Sequence, residues 1–151
     1  MFTTVRYFIK TSIIFLALGI LTGLYMSLNK HLLYNGALPE LISAHTHIIL
    51  VGSVMMMIMG VALWFFPRAE KNDKKYNPEL IVFTYWTLTI STALRFVFQI
   101  INAFSFLKFV DIGISIFSIF QVIAILIFFY AMWGRIRAVG SQYREAKGEK
   151  F

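Results

Sequence analysis

The chain has no cysteine. That excludes disulfides, thiolate metal sites, iron–sulfur clusters and covalently attached c-type haem. Any metal must be held by histidine, methionine, carboxylate or backbone oxygen. Acidic residues are few, seven against fourteen Lys and Arg, and none lies inside a long apolar stretch. Histidine is scarcer still. Of three in the chain, His45 and His47 stand two residues apart within an apolar run. Imidazole is costly in hydrocarbon, and intramembrane ionisable residues point to function by default.

What is abundant is apolar. The hydrophobic fraction is 59% and the mean hydropathy +0.75. A soluble domain of 151 residues could not bury that much apolar surface, so the composition is that of a membrane protein. Charges cut the chain into four segments: Thr11 to Asn29, Leu41 to Pro67, Leu80 to Leu107, and Ile112 to Gly134. Each reaches the roughly 20 residues that a helix needs to cross a bilayer. The first is longer than the apolar core of a signal peptide, and no clear cleavage site follows it, so it is expected to remain as a helix. The expected fold is an all-α membrane protein, a four-transmembrane-helix bundle. Residues 1–138 form the transmembrane domain and residues 139–151 a polar tail, with no repeat or second domain.

The net charge of +7 is explained by position rather than by a nucleic-acid partner, and none is expected. Arg6 and Lys10 precede the first span. Arg68, Lys71, Lys74 and Lys75 separate the second from the third, and Arg135, Arg137, Arg144, Lys147 and Lys150 follow the fourth. In a four-span topology these share one side, with only Lys30 and Lys108 opposite. The positive-inside rule then predicts that both termini are cytoplasmic, in a multi-pass protein of a bacterial plasma (inner) membrane surrounded by lipid. Trp64, Trp86 and Trp133 fall near the same ends, as interfacial anchors do.

His45 and His47 follow Glu40 by five and seven residues, which places them roughly 7–10 Å below the outer end of the second span. Residues i and i+2 differ by about 200° around a helix, so the rings point to nearly opposite sides and do not share one metal. Two readings stand. The histidines hydrogen-bond between helices near the interface, or each serves a separate metal or haem pocket. Gly52 and Gly60 lie seven and fifteen residues beyond His45, on its face of a regular helix. Small residues there either leave room for a flat macrocycle or mark a close helix–helix contact. Met55, Met56, Met57 and Met59 form a soft patch suited to packing, too far down to share a metal with the histidines. His31 falls in the outer loop.

The stretch "AHTHIILVGSVMMMIMGVALWFFP", from Ala44 to Pro67, resembles the helix of haem–copper oxidase subunit I that carries a His-x-His pair. The shared features are Ala44, His45, His47, Gly52, Met59 or its neighbour, Gly60, and the Trp64–Phe66–Pro67 ending. In that family twelve helices form three groups of four around a pseudo-threefold axis, with metal ligands on the second helix of each group. This chain is similar to one such group. The resemblance implies that His45 faces one haem pocket and His47 another. The further histidines of the family's copper site are missing, so reduction of O₂ or NO at a haem–copper pair is not expected.

The third span holds the one internal charge, Arg95, at about the depth of the histidines. A buried arginine calls for a carboxylate. No span supplies one, whereas haem carries two propionates that a guanidinium can grip bidentately. Gln99 and Asn102, at i+4 and i+7, extend that polar face. The alternative is an arginine snorkelling to the outer headgroups. The oxidases' Pro-Arg-Arg motif is absent.

Together these readings give a membrane-embedded b-type cytochrome. It binds haem b (iron) through His45 and His47, with Gly52, Arg95 and Gln99 lining the pocket, and transfers electrons, with quinol a candidate redox partner. One chain cannot supply two axial histidines to one haem from opposite faces of one helix, so a homo-oligomer is expected, a trimer first and a dimer second. Two rivals remain: an oxidoreductase or gas sensor with an open sixth position, and a non-catalytic assembly or metal-handling subunit of a respiratory complex.

Overall fold

The computed structural model describes residues 2–33, 38–66, 77–105, 107–136, 140, 143–144 and 147–148. Four long helices account for nearly all of them: α1 (Phe2–His31), α2 (Pro39–Phe65), α3 (Pro78–Phe104) and α4 (Lys108–Met132), the last followed by a 3₁₀ turn, Trp133–Arg135. Among the described residues there is no strand. All four helices are long and apolar enough to cross a membrane. At 27 residues, α3 is about 40 Å long, enough for a hydrocarbon core of about 30 Å and part of both interfaces.

Local chemistry sets the ends. Pro39 and Pro78 open α2 and α3 at positions where a missing N–H costs nothing. Asn77 caps α3, its Oδ1 accepting from the Glu79 N–H at 2.8 Å. Glu40, Glu79 and Asp111 occupy first turns and Lys30 and His31 the last turn of α1, each matched to the helix dipole. Inside the spans, several hydroxyls are satisfied by their own helix: Thr22 donates to the Leu18 carbonyl, Thr46 to Ile42 and Thr84 to Leu80, which suits a medium without water.

α1 starts nine residues before Thr11, because Arg6 and Lys10 sit on helical turns with exposed side chains. α3 ends at Phe104 and α4 starts at Lys108, so Leu107 belongs to the connection. Pro67, the cationic residues Arg68, Lys71, Lys74, Lys75, Arg137 and Lys150, and most of the 139–151 tail lie outside the described residues.

Neighbouring helices run antiparallel. Gly60 of α2 meets Phe8 and Ile9 of α1, Gln99 of α3 meets Ser43 of α2, and Asn102 of α3 meets Asp111 of α4. The core lies towards the end of the bundle where both termini sit. There Phe8 meets Tyr85 edge-on at 5.2 Å and Phe128 at 6.0 Å, favourable aromatic geometries. Thr11 and Tyr85 share a hydrogen bond of 2.7 Å. Met56 and Met59 are fully buried in this core, and Met57 accepts a weak bond from Ser12, so the methionine patch is packing. Arg135 is completely buried and donates to the Phe66 and Leu63 carbonyls at 3.1 and 3.4 Å. It satisfies carbonyls that the end of α2 leaves without an intrahelical donor, with a positive charge where the dipole favours one.

α2 is not a regular α-helix throughout. Ile48–Met55, directly after His47, is π-helical. Such segments are rare and are found disproportionately at functional sites.

Candidate functional site

His45 and His47 both lie in the regular first part of α2, Pro39–His47, so the 200° separation between them holds. Both are half-buried. His45 faces α1, where its Nδ1 lies 2.9 Å from the Gly19 carbonyl oxygen. A carbonyl can only accept, so Nδ1 carries the proton, and in the neutral ring Nε2 carries the lone pair. The seat for this ring is made by Gly19 and Gly23. A Cβ on Gly23 would stand 2.8 Å from His45 Cε1, and one on Gly19 would collide with Ile49. Nothing in the second span alone reveals this seat. Its signal is the Gly-x-x-x-Gly spacing in α1, which lets two membrane helices approach closely.

His47 is directed differently. It is within electrostatic reach of Arg95 on α3, and among the described residues its ring has no hydrogen-bond partner. The helix-to-helix hydrogen bond anticipated as one alternative for both histidines is therefore present for His45 alone.

Gly52 does not open beneath His45. A Cβ there would lie 2.8 Å from Phe15 of α1 and 3.0 Å from Thr92 of α3, so the glycine closes a three-helix contact. Gly60 closes a two-helix contact against Phe8 and Ile9 of α1. His45, Gly52 and Gly60 all meet α1, so the side they share persists through the π segment, and the space beside the glycines is filled by neighbouring side chains.

Arg95 is half-buried, and its NH1 donates to Gln121 Oε1 of α4 at 2.8 Å. Gln121 in turn donates to Thr92 Oγ1 at 2.9 Å. Glu40 is within electrostatic reach of the guanidinium. One turn outward, Gln99 donates to Ser43 Oγ of α2 at 2.8 Å. A further turn outward, Asn102 donates to Asp111 Oδ1 of α4 at 2.8 Å. Arg95, Gln99 and Asn102 thus form one polar face turned into the seam between α2, α3 and α4. Gln121, Ser43 and Asp111 are the partners that the sequence did not announce, since neutral polar residues and a helix-end aspartate carry no motif.

Beside this polar seam, an open cleft of about 440 Å³ lies between the outer parts of α1 and α3, lined by Leu18, Leu21, Tyr25, Leu41, Phe96 and Ile100 among others. It presents no charged or metal-ligating side chain. His31 ends α1 and is exposed. Among the described residues no group of three or more His, Cys, Asp or Glu side chains could hold a metal ion.

Comparison with family models, with curated proteins and with solved structures finds no match. The resemblance of Ala44–Pro67 to the oxidase helix therefore rests on the residues of that stretch.

Proposed function

We propose that this protein is a b-type cytochrome of a bacterial plasma membrane, with its termini in the cytoplasm, that holds haem b through His45 and His47 and transfers electrons near the outer face. The observation that carries the proposal is the bond from His45 Nδ1–H to the Gly19 carbonyl. An imidazole committed through Nδ1–H to a backbone carbonyl has its tautomer and orientation fixed, and Nε2 is left to bind iron. The unpartnered ring of His47 gives a second ligand on another side of the helix. These two residues fit a haem. Gly52 has no part in holding it, because its surroundings are filled by Phe15 and Thr92. Arg95 contributes its charge, with NH1 bound to Gln121 inside the seam.

When bound, the haem supplies one-electron chemistry. The protein's own part is to orient one imidazole, to present a second, and to hold a cation nearby that electrostatically favours the reduced state. The electron donor we propose is a membrane quinol. Two histidines on different sides of one helix require that the second axial ligand of each haem come from a neighbouring chain. In a closed ring, His45 of one chain and His47 of the next share each haem, giving one haem per chain. In a two-fold dimer, one histidine type from both chains shares a single haem on the axis. The ring uses both histidines, and three members reproduce the threefold arrangement of the oxidase-like groups, so a homotrimer is the proposed unit. Haem-to-protein stoichiometry together with the mass of the detergent-solubilised complex tests it. The trimer predicts one haem per chain and a three-chain mass. A ratio near one half with a two-chain mass would replace it by the dimer.

A further inference from the structure

Four buried side-chain atoms among the described residues have no hydrogen-bond partner: Thr89 Oγ1, Arg95 Nε, Gln99 Oε1 and Asn102 Oδ1. Thr89 lies about 9 Å below Arg95 along α3 and stands apart. The other three belong to residues at i, i+4 and i+7 on one face, spanning about 10 Å. Gln99 and Asn102 are 2% and 4% exposed. Leaving such groups bare in a medium without water is costly. Three on one face form a pattern with a single chemical solution.

The three atoms are one donor, Arg95 Nε–H, and two acceptors, Gln99 Oε1 and Asn102 Oδ1. A ligand that satisfies them must accept at its deep end and donate further out. Water does both, and buried waters typically make about three hydrogen bonds to otherwise unsatisfied polar groups. An anion satisfies Arg95 but meets the two carbonyl oxygens and, further out, the Asp111 carboxylate. A metal cation suits the oxygens but ends against a guanidinium. The electrostatics at the two ends therefore select a neutral molecule. The route is also set. Asp111 is exposed at the first turn of α4 and already bonded to Asn102, so the polar file starts in the aqueous phase on the side opposite the termini. It stops below Arg95, where Leu88 and Ala124 are completely buried.

We propose that the seam between α2, α3 and α4 binds a short file of water molecules, entering beside Asp111 and ending on Arg95 Nε. The file hydrates the one charge inside the spans, which explains how Arg95 is tolerated there with only a neutral glutamine as its hydrogen-bond partner. It admits water from one side only. The proposal stands whether or not haem is bound, because none of its groups is a haem ligand.

The test is water-edited solid-state NMR on the full-length, isotope-labelled protein in lipid bilayers. Magnetisation transfer from water to the Arg95 Nε–H and to the Gln99 and Asn102 side-chain amides is expected at a rate comparable to that of the exposed Asn77 amide, while the Leu88 and Ala124 methyls receive none directly. Absence of transfer at Arg95 Nε–H in the wild-type protein overturns the proposal, and this readout needs no variant. In Asn102→Leu, which blocks the entrance, transfer at Arg95 is expected to be lost. Transfer that persists at the wild-type rate in the folded variant overturns the assigned route.

Discussion

The two ends of this bundle are built from different materials. At the end where α1 begins and α4 finishes, Phe8, Tyr85 and Phe128 interlock, Met56 and Met59 fill the space between helices, and Arg135 is fully buried and spent on the carbonyls that end α2. At the opposite end the helices spread around an apolar cleft. Beside buried Leu41, Ala44 and Val110 this end also buries Gln99 and Asn102, and each has a hydrogen-bonding atom with no protein partner among the described residues. A satisfied polar group, like Arg135, fastens a structure. An incompletely satisfied one, like Arg95 or His47, is left open to something that is not protein. On the proposed function, the contrast places stability at one end and haem binding at the other. The π segment Ile48–Met55 follows the histidines and lies between the two ends.

Substitutions that separate the two ends test this division. The largest effect is expected from His45→Ala and His47→Ala. Each is expected to remove most of the bound haem, measured as pyridine haemochrome per chain, while the thermal midpoint of the haem-free protein changes little. His31→Ala, at the exposed end of α1, is expected to keep its full haem complement. A wild-type haem content in either His45 or His47 variant would withdraw that residue from the ligand set.

Arg135→Leu is expected to act in the opposite sense. It leaves the Leu63 and Phe66 carbonyls without this donor and removes a fully buried side chain, at a cost of about 2–4 kcal/mol. A lower unfolding midpoint in detergent, with an unaltered haem-to-chain ratio in the protein that remains folded, is the expected result. A stable variant that loses haem would break the division between the ends.

A smaller effect is expected from Gly23→Ala. The added Cβ meets the His45 ring at 2.8 Å, so the ring must shift, at about 1–3 kcal/mol as for other overpacked sites. Haem affinity is expected to fall several-fold with little change in the unfolding midpoint. An unchanged affinity would show that the Gly19–His45 contact does not set the ligand's position.

Much of this was legible in the sequence, for reasons that can be traced. The four spans follow from hydrophobic length alone, because a bilayer enforces it. The separation of His45 from His47 follows from helix geometry and survives because both precede the π segment. The side shared by His45, Gly52 and Gly60 also holds, since all three meet α1, but spacing could not tell an open pocket from a close contact, and Phe15 and Thr92 fill the space at Gly52. No pattern in "IILVGSVM" announces a π-helix. Arg95 was legible as a charge needing a partner, but not as a donor to Gln121, because that pairing is decided by how α4 lies along α3. Arg135 was counted among the basic residues flanking the spans, and its burial depends on where α2 ends.

The proposed ligation of haem by His45 and His47 is read most directly from the absorption spectrum of the purified protein, reduced minus oxidised, recorded with and without carbon monoxide. A low-spin b-type difference spectrum that carbon monoxide hardly alters is expected. Protein that contains no haem when produced in haem-replete cells would contradict it, and a large carbon monoxide shift would contradict the bis-histidine assignment.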